Sequence, residues 1–236
     1  MTGMTVDPQK LYTILFHNFS KQQWWPYDQQ YHSINNSDPR FEIIVGAILT
    51  QNTAWSNVEK ALVNMKNNKS VTINSIVEIS LNHLKELIQP SGFFNQKATR
   101  LKIIANHFHN KYESDLDSFF AGDTQEIREE LLSLHGIGPE TADSILLYAG
   151  NKPVFVVDAY TKRICNRIPL SIPDDSYHKI QQYFESILLK NHEPHDIVEI
   201  YKQFHALLVE LAKQYCKTKP HCAHCPVNNE CKAALL

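Results

Sequence analysis

Three observations predict an all-α fold. Apolar residues recur at helical rather than alternating spacing along most of the chain. The 236 residues include only 7 glycines, too few for an all-β fold full of tight turns or for a glycine-rich dinucleotide fold. The single strand-like run, Pro153-Val154-Phe155-Val156-Val157, is short enough to read equally well as buried coil. The length suffices for one hydrophobic core or two small ones. With 43% hydrophobic and 20% charged residues and a mean hydropathy of −0.34, the composition is that of an ordinary globular protein. No stretch approaches the roughly 18 apolar residues of a membrane span, and Met1 to Lys10 lack the apolar centre of a secretory signal. A cytoplasmic protein is therefore expected. The net charge of −2 supplies no general basic field, so any nucleic-acid binding has to be local.

Taken in order, Leu11 to Phe19 predicts an N-terminal helix. Phe41, Ile44, Val45 and Ile48 follow at i, i+3, i+4 and i+7, and Val58, Leu62 and Met65 continue the pattern. Ile127, Leu131 and Leu134 form another stripe, then Ala142, Ile145, Leu146 and Ala149, and finally Phe204, Leu207, Leu208 and Leu211. Polar breaks fall at residues 67–70, 89–92 and 173–176.

Four of the five cysteines lie in the last 21 residues: Cys216, Cys222, Cys225 and Cys231, spaced C-x5-C-x2-C-x5-C. Without a secretory context a disulfide framework is the weaker reading. Four thiolates this close suit a [4Fe–4S] cluster or tetrahedral zinc, and the spacing favours the cluster because zinc knuckles use two separated C-x2-C pairs. Cys165 reads as a small core residue.

The segment Leu134-His135-Gly136-Ile137-Gly138-Pro139-Glu140-Thr141-Ala142-Asp143 joins two amphipathic stripes through G-x-G. Glycine permits a tight hairpin there, Pro139 suits a first helical turn, and bare N–H groups of Gly136, Ile137 and Gly138 form a sequence-neutral grip for a DNA phosphate. Downstream comes Val156-Val157-Asp158-Ala159-Tyr160-Thr161-Lys162-Arg163. Hairpin, V-D-x-x-x-x-R segment and terminal cysteines, in that order, resemble the endonuclease III superfamily of helix-hairpin-helix DNA glycosylases, from about Phe41 to Cys231. The resemblance implies that Asp158 is the catalytic carboxylate and that Cys216, Cys222, Cys225 and Cys231 hold a [4Fe–4S] cluster, although the first gap of the cysteine loop is one residue shorter than usual in that family. It also implies two wedges that fill the hole left by a flipped base: Gln51 in Leu49-Thr50-Gln51-Asn52-Thr53, and Phe93 in Ser91-Gly92-Phe93-Phe94-Asn95-Gln96-Lys97-Ala98.

Bifunctional members carry a lysine where this chain has Glu140. A carboxylate forms no imine, so the resemblance is to a monofunctional glycosylase in which water attacks the sugar. Trp24-Trp25-Pro26 and Trp55 look like the aromatic pocket of the 3-methyladenine DNA glycosylase III branch, whose better-known members lack the cysteines. Lys213 resembles that branch's buried late-helix lysine. Electron-rich rings favour cationic N-alkylated purines by about 0.5–2 kcal/mol per face. The expected substrate is such a base in double-stranded DNA, acted on by a monomer with no membrane partner. A bifunctional endonuclease III-type glycosylase/AP lyase acting on oxidised pyrimidines and a non-catalytic DNA-binding iron–sulfur protein are the alternatives. Two helical bundles are expected: residues 36–152 with the hairpin, and residues 1–35 plus 153–236 with the metal, the active site lying in the cleft between them.

Overall fold

The computed structural model describes residues 6–170, 172, 176–231 and 234. Residues 173–175 of the last polar break, and Lys232 beside the cysteines, lie outside the described residues. Thirteen α-helices form among the described residues: α1 (Pro8–Phe19), α2 (Gln29–Asn35), α3 (Pro39–Leu49), α4 (Trp55–Asn67), α5 (Ile73–Glu78), α6 (Leu81–Ile88), α7 (Phe94–Tyr112), α8 (Leu116–Phe120), α9 (Thr124–Ser133), α10 (Pro139–Ser144), α11 (Ala159–Arg167), α12 (Tyr177–Asn191) and α13 (Ile197–Gln214). No strand occurs among them, and Val154 to Val157 is buried coil. No described helix is long and apolar enough to cross a membrane.

The helices fall into two compact units, Met1–Trp24 with Pro153–Leu236, and Trp25–Lys152. The first division thus lies between Trp24 and Trp25, not after residue 35. A buried ionic network explains why the start of the second unit, α2 included, joins α3 and α4. The Glu42 carboxylate of α3 pairs with His32 of α2 at 2.7 Å, accepts from the Asp28 N–H at 3.0 Å, and meets Lys66 of α4 at 3.2 Å.

In the first unit α1 packs on α12 and α13, while α11 packs on α13. Its core is aromatic: Phe155 and Phe184 lie 4.9 Å apart, and Phe184 stacks on Phe204 at 5.4 Å. In the second unit α3 is buried on every side and packs against the helical run after the hairpin. That run begins as α10 and continues as a π-helical turn, Ile145–Ala149. Asp7 before Pro8 and Asp38 before Pro39 start α1 and α3 in the same way. Each aspartate accepts a backbone N–H of the first turn at 2.8 Å, and each proline occupies a position whose N–H would have no helical partner.

Candidate active site

Asp158 is the N-cap of α11 in the first unit, with 9% of its surface exposed. Its Oδ1 accepts from the Thr161 N–H at 2.7 Å and the Thr161 hydroxyl at 2.8 Å, and its Oδ2 lies 3.6 Å from His205 Nε2 on α13. Burial alone would raise its pKa. His205 and the two Thr161 donors outweigh that and hold the carboxyl below the usual carboxylate range, so it is an anion at neutral pH. Nothing in the sequence marked His205, which lies 47 residues downstream inside an apolar stripe.

In the second unit the hairpin joins α9 to α10. Gly136 has φ +86°, the left-handed region, and the Arg100 side chain of α7 fills the space a Cβ would need. Gly138 is extended at φ −98° and caps α10, with Pro139 at the first turn. Only the first glycine of G-x-G is therefore required by backbone conformation. The Ile137 side chain is buried, leaving only its main chain to face a ligand. Glu140 is exposed in the first turn of α10.

Gln51 sits in the turn after α3. Its Nε2 donates to the Gly136 carbonyl at 3.1 Å and to the Thr141 hydroxyl at 2.9 Å, and its Oε1 accepts from the Arg100 guanidinium. Phe93 is 60% exposed at φ +46°, an unusual conformation for a bulky residue. Lys97, one turn into α7, is fully buried. Its ammonium donates to the carbonyls of Leu49 and Ser91, both at 2.7 Å. Burial, helped by the nearby Arg100 charge, brings its pKa down to about 8.

The aromatic residues divide between the units. Lys213 lies 5.4 Å from the Trp24 ring in the first. It is exposed rather than buried, because it follows the last buried positions of α13, Leu211 and Ala212. In the second unit Trp25 meets Trp55 edge-on at 5.4 Å and lies 5.3 Å from Tyr148. It rests directly on Gly46 of α3, where a Cβ would come within 2.9 Å of the indole nitrogen. Trp55 donates its indole N–H to Glu59 at 2.9 Å, and Pro26 is exposed. Pro26 and Trp55 line a shallow depression of about 450 Å³ together with Tyr27 and Glu42.

None of the five cysteines forms a disulfide. Cys216, Cys222, Cys225 and Cys231 all line one cavity, backed by Ile164, Leu211 and Val227. No three metal-binding side chains among the described residues converge closely enough to share a single ion. Four thiols lining one apolar cavity are a donor set that suits a metal site. Arg163 Nε donates to the Cys216 carbonyl at 2.7 Å, and Arg167 donates to Cys216 Sγ at 3.2 Å and to the Lys217 carbonyl at 2.7 Å. The helix capped by Asp158 is thereby bonded to the cysteine loop. Cys165, on the same helix, is a half-buried thiol whose pKa is pushed up by desolvation to about 12.

Residues 45–190 match the HhH-GPD superfamily of base excision DNA repair proteins. Over 227 residues, 94% of each chain, the sequence is 42% identical to a Methanocaldococcus jannaschii protein provisionally described as a DNA repair glycosylase. The chain belongs to the HhH-GPD superfamily. Its fold matches the Helicobacter pylori 3-methyladenine DNA glycosylase bound to 1,N6-ethenoadenine with a TM-score of 0.72 at 30% identity, covering 89% of this chain and 98% of that one. It also matches endonuclease III in a non-covalent DNA complex with a TM-score of 0.74, covering 98% of each chain, though at 19% identity this likeness concerns the fold alone. As an HhH-GPD protein the chain is a DNA glycosylase of base excision repair.

Within this HhH-GPD chain the structure gathers Gln51, Gly136 and Thr141 around Arg100, and places Asp158 beside His205. Arg100 and His205 carry no motif signal of their own. Their partners lie 49 and 47 positions away, so only the fold reveals them.

Proposed function

We propose that the protein is a monofunctional DNA glycosylase that hydrolyses the N-glycosidic bond of a flipped alkylated purine, with Asp158 as its catalytic carboxylate. One observation carries this reading: Asp158 is a buried, fixed anion, while the position that bears the Schiff-base lysine in bifunctional relatives is an exposed carboxylate, Glu140. As the C1′–N bond breaks, the electron pair leaves with the base and positive charge develops on the sugar. The Asp158 carboxylate stabilises that charge and orients the water whose oxygen bonds to C1′, the water's proton passing to solvent. An N-alkylated purine already carries positive charge and departs neutral, so no strong general acid is needed. The rings of Trp24, Trp25 and Trp55, with Pro26 and Lys213, are the groups we assign to base recognition. Support comes from the H. pylori relative, whose bound base is a modified adenine.

For DNA binding we assign the N–H groups of the Gly136-Ile137-Gly138 loop to a phosphate, and Gln51 and Phe93 to the gap left by the flipped base. A large apolar side chain that is mostly exposed and held at positive φ gives up burial worth about 1.5–3 kcal/mol, which suits a wedge and not a core residue. The four terminal cysteines are assigned to a [4Fe–4S] cluster. When bound it supplies a rigid cross-link to the loop, and no step of base release passes through it. Protein purified without oxygen should contain about four irons per chain; a single zinc would refute the cluster and leave the glycosylase reading intact.

The function is tested with duplexes carrying 3-methyladenine, an oxidised pyrimidine or a mismatch. Release of free methyladenine without strand cleavage is expected. Spontaneous cleavage at the oxidised pyrimidine indicates the bifunctional alternative, and no release from any duplex indicates a non-catalytic DNA-binding protein.

A further inference from the structure

The Gln51 carboxamide is fully engaged inside the protein. Both of its N–H bonds go to the hairpin side, at Gly136 and Thr141, and its oxygen accepts from Arg100. Reaching into a duplex would break all three, including one bond to a charged donor. The turn itself does not give way easily, because Lys97 stitches its root to the root of the Phe93 segment: Leu49 ends α3 two residues before Gln51, and Ser91 lies two residues before Phe93. A cation placed on the last carbonyl of one helix and at the end of the 3-10 turn Gln89–Ser91 opposes the negative ends of both. Lys97 and Arg100 stand three residues apart on one face of α7, so one helix holds the turn and its side chain together.

We infer that Arg100 is a specificity-determining residue, holding Gln51 retracted against the hairpin so that the wedge enters only where the duplex is already weakened. The inference rests on Gln51 being a wedge, as proposed above. On intact DNA the wedge would have to trade three satisfied hydrogen bonds for the cost of unstacking a normal pair. At a lesion or an abasic gap the unstacking cost is largely absent, and the exchange becomes favourable. Gly136 belongs to the device, since only a residue without Cβ leaves room for the Arg100 side chain.

The test reads 2-aminopurine fluorescence in two duplexes, one intact and one with 2-aminopurine beside a tetrahydrofuran abasic analogue. Wild type is expected to unstack the probe only beside the analogue. Arg100→Met should raise unstacking in the intact duplex about tenfold, the size of effect carried by a hydrogen bond to a charged group. Arg100→Lys, which keeps a charged donor, should restore much of the discrimination. Thr141→Val removes one acceptor at nearly constant shape and should shift the signal the same way by less, which covers failure of the arginine variant to fold. Gln51→Ala should leave the intact duplex stacked and lose most of the signal beside the analogue. If Gln51→Ala keeps the wild-type signal beside the analogue, the wedge reading fails and the latch with it. If Gln51→Ala loses that signal but Arg100→Met keeps wild-type discrimination, or loses the signal beside the analogue, the latch alone is overturned.

Discussion

Asp158 in one unit and Lys97 in the other are both buried charged side chains, and the two are handled in opposite ways. Asp158, in the unit of residues 1–24 and 153–236, faces a histidine and two donors of Thr161, and its charged form is favoured despite burial. Lys97, in the unit of residues 25–152, faces two carbonyl dipoles and a neighbouring guanidinium, and its charged form is so disfavoured that the pKa falls to about 8. The contrast teaches that dipoles alone do not offset the desolvation of an ion, whereas an imidazole partner with two hydrogen bonds does. It also separates roles. A group that must be charged in the transition state has a partner that keeps it charged. A group that only holds two loop roots together does not need its charge, because a neutral amine still donates two hydrogen bonds.

The largest effect should come from removing the Asp158 charge. Asp158→Asn keeps the size and much of the hydrogen bonding, and should slow base release by about 100-fold or more while binding to an abasic-analogue duplex survives. Measuring single-turnover release beside duplex affinity checks both halves. A normal release rate would remove Asp158 from the chemistry.

His205→Gln sharpens the comparison by taking away the partner that keeps Asp158 ionised. Wild-type release should persist as pH falls through the ordinary carboxylate range, failing only once pH drops through the lowered pKa of Asp158. In the variant that acid limb should move to higher pH, and release at neutral pH should fall by about tenfold. An acid limb unmoved by the substitution would show that His205 does not set the charge of Asp158.

For Lys97 the sign is reversed. Its folded pKa lies below its unfolded value of 10.5, so between about pH 8 and 10.5 the unfolded chain binds more protons and this group's contribution to stability rises with pH. Urea unfolding of wild type and Lys97→Met should diverge over that window, wild type gaining about 1–3 kcal/mol relative to the variant. A constant difference across the window would mean that Lys97 is not the strained cation described here.

The smallest effect is expected at Glu140. Glu140→Lys returns an amine to the lyase position, yet only a trace of borohydride-trapped DNA adduct should form, because an exposed lysine stays largely protonated at neutral pH and is a poor nucleophile. Efficient trapping by the variant would mean that the surrounding site is already shaped for imine chemistry.

Much of this was legible in the sequence. The stripes from Phe41, Val58, Ile127 and Phe204 become α3, α4, α9 and α13, because each apolar face repeats at the helical period. The longest helix, α7, was not read from its pattern, although Ala98, Leu101, Ile104, Ala105 and Phe108 keep helical spacing behind the buried Lys97 at the head of the stripe. The π-helical turn at Ile145–Ala149 also leaves no periodic signature, since one added residue merely shifts the phase. In the candidate site, Gly136 could be picked out because a positive φ is a short-range demand, and Asp158 because the V-D-x-x-x-x-R segment carries the family resemblance. Arg100 is 49 positions from Gln51 and His205 is 47 from Asp158, and no local rule reaches so far. Lys213 shows the converse error, because a motif on α13 could not tell which side of the last turn faces solvent.

The central claim is tested most directly by incubating wild-type protein with an end-labelled duplex containing one 3-methyladenine and dividing the products into untreated and alkali-treated halves. The account predicts that strands break only after alkali, in proportion to the free base released. Strand breakage of equal extent in the untreated half, with a protein–DNA adduct trapped by borohydride, would contradict it.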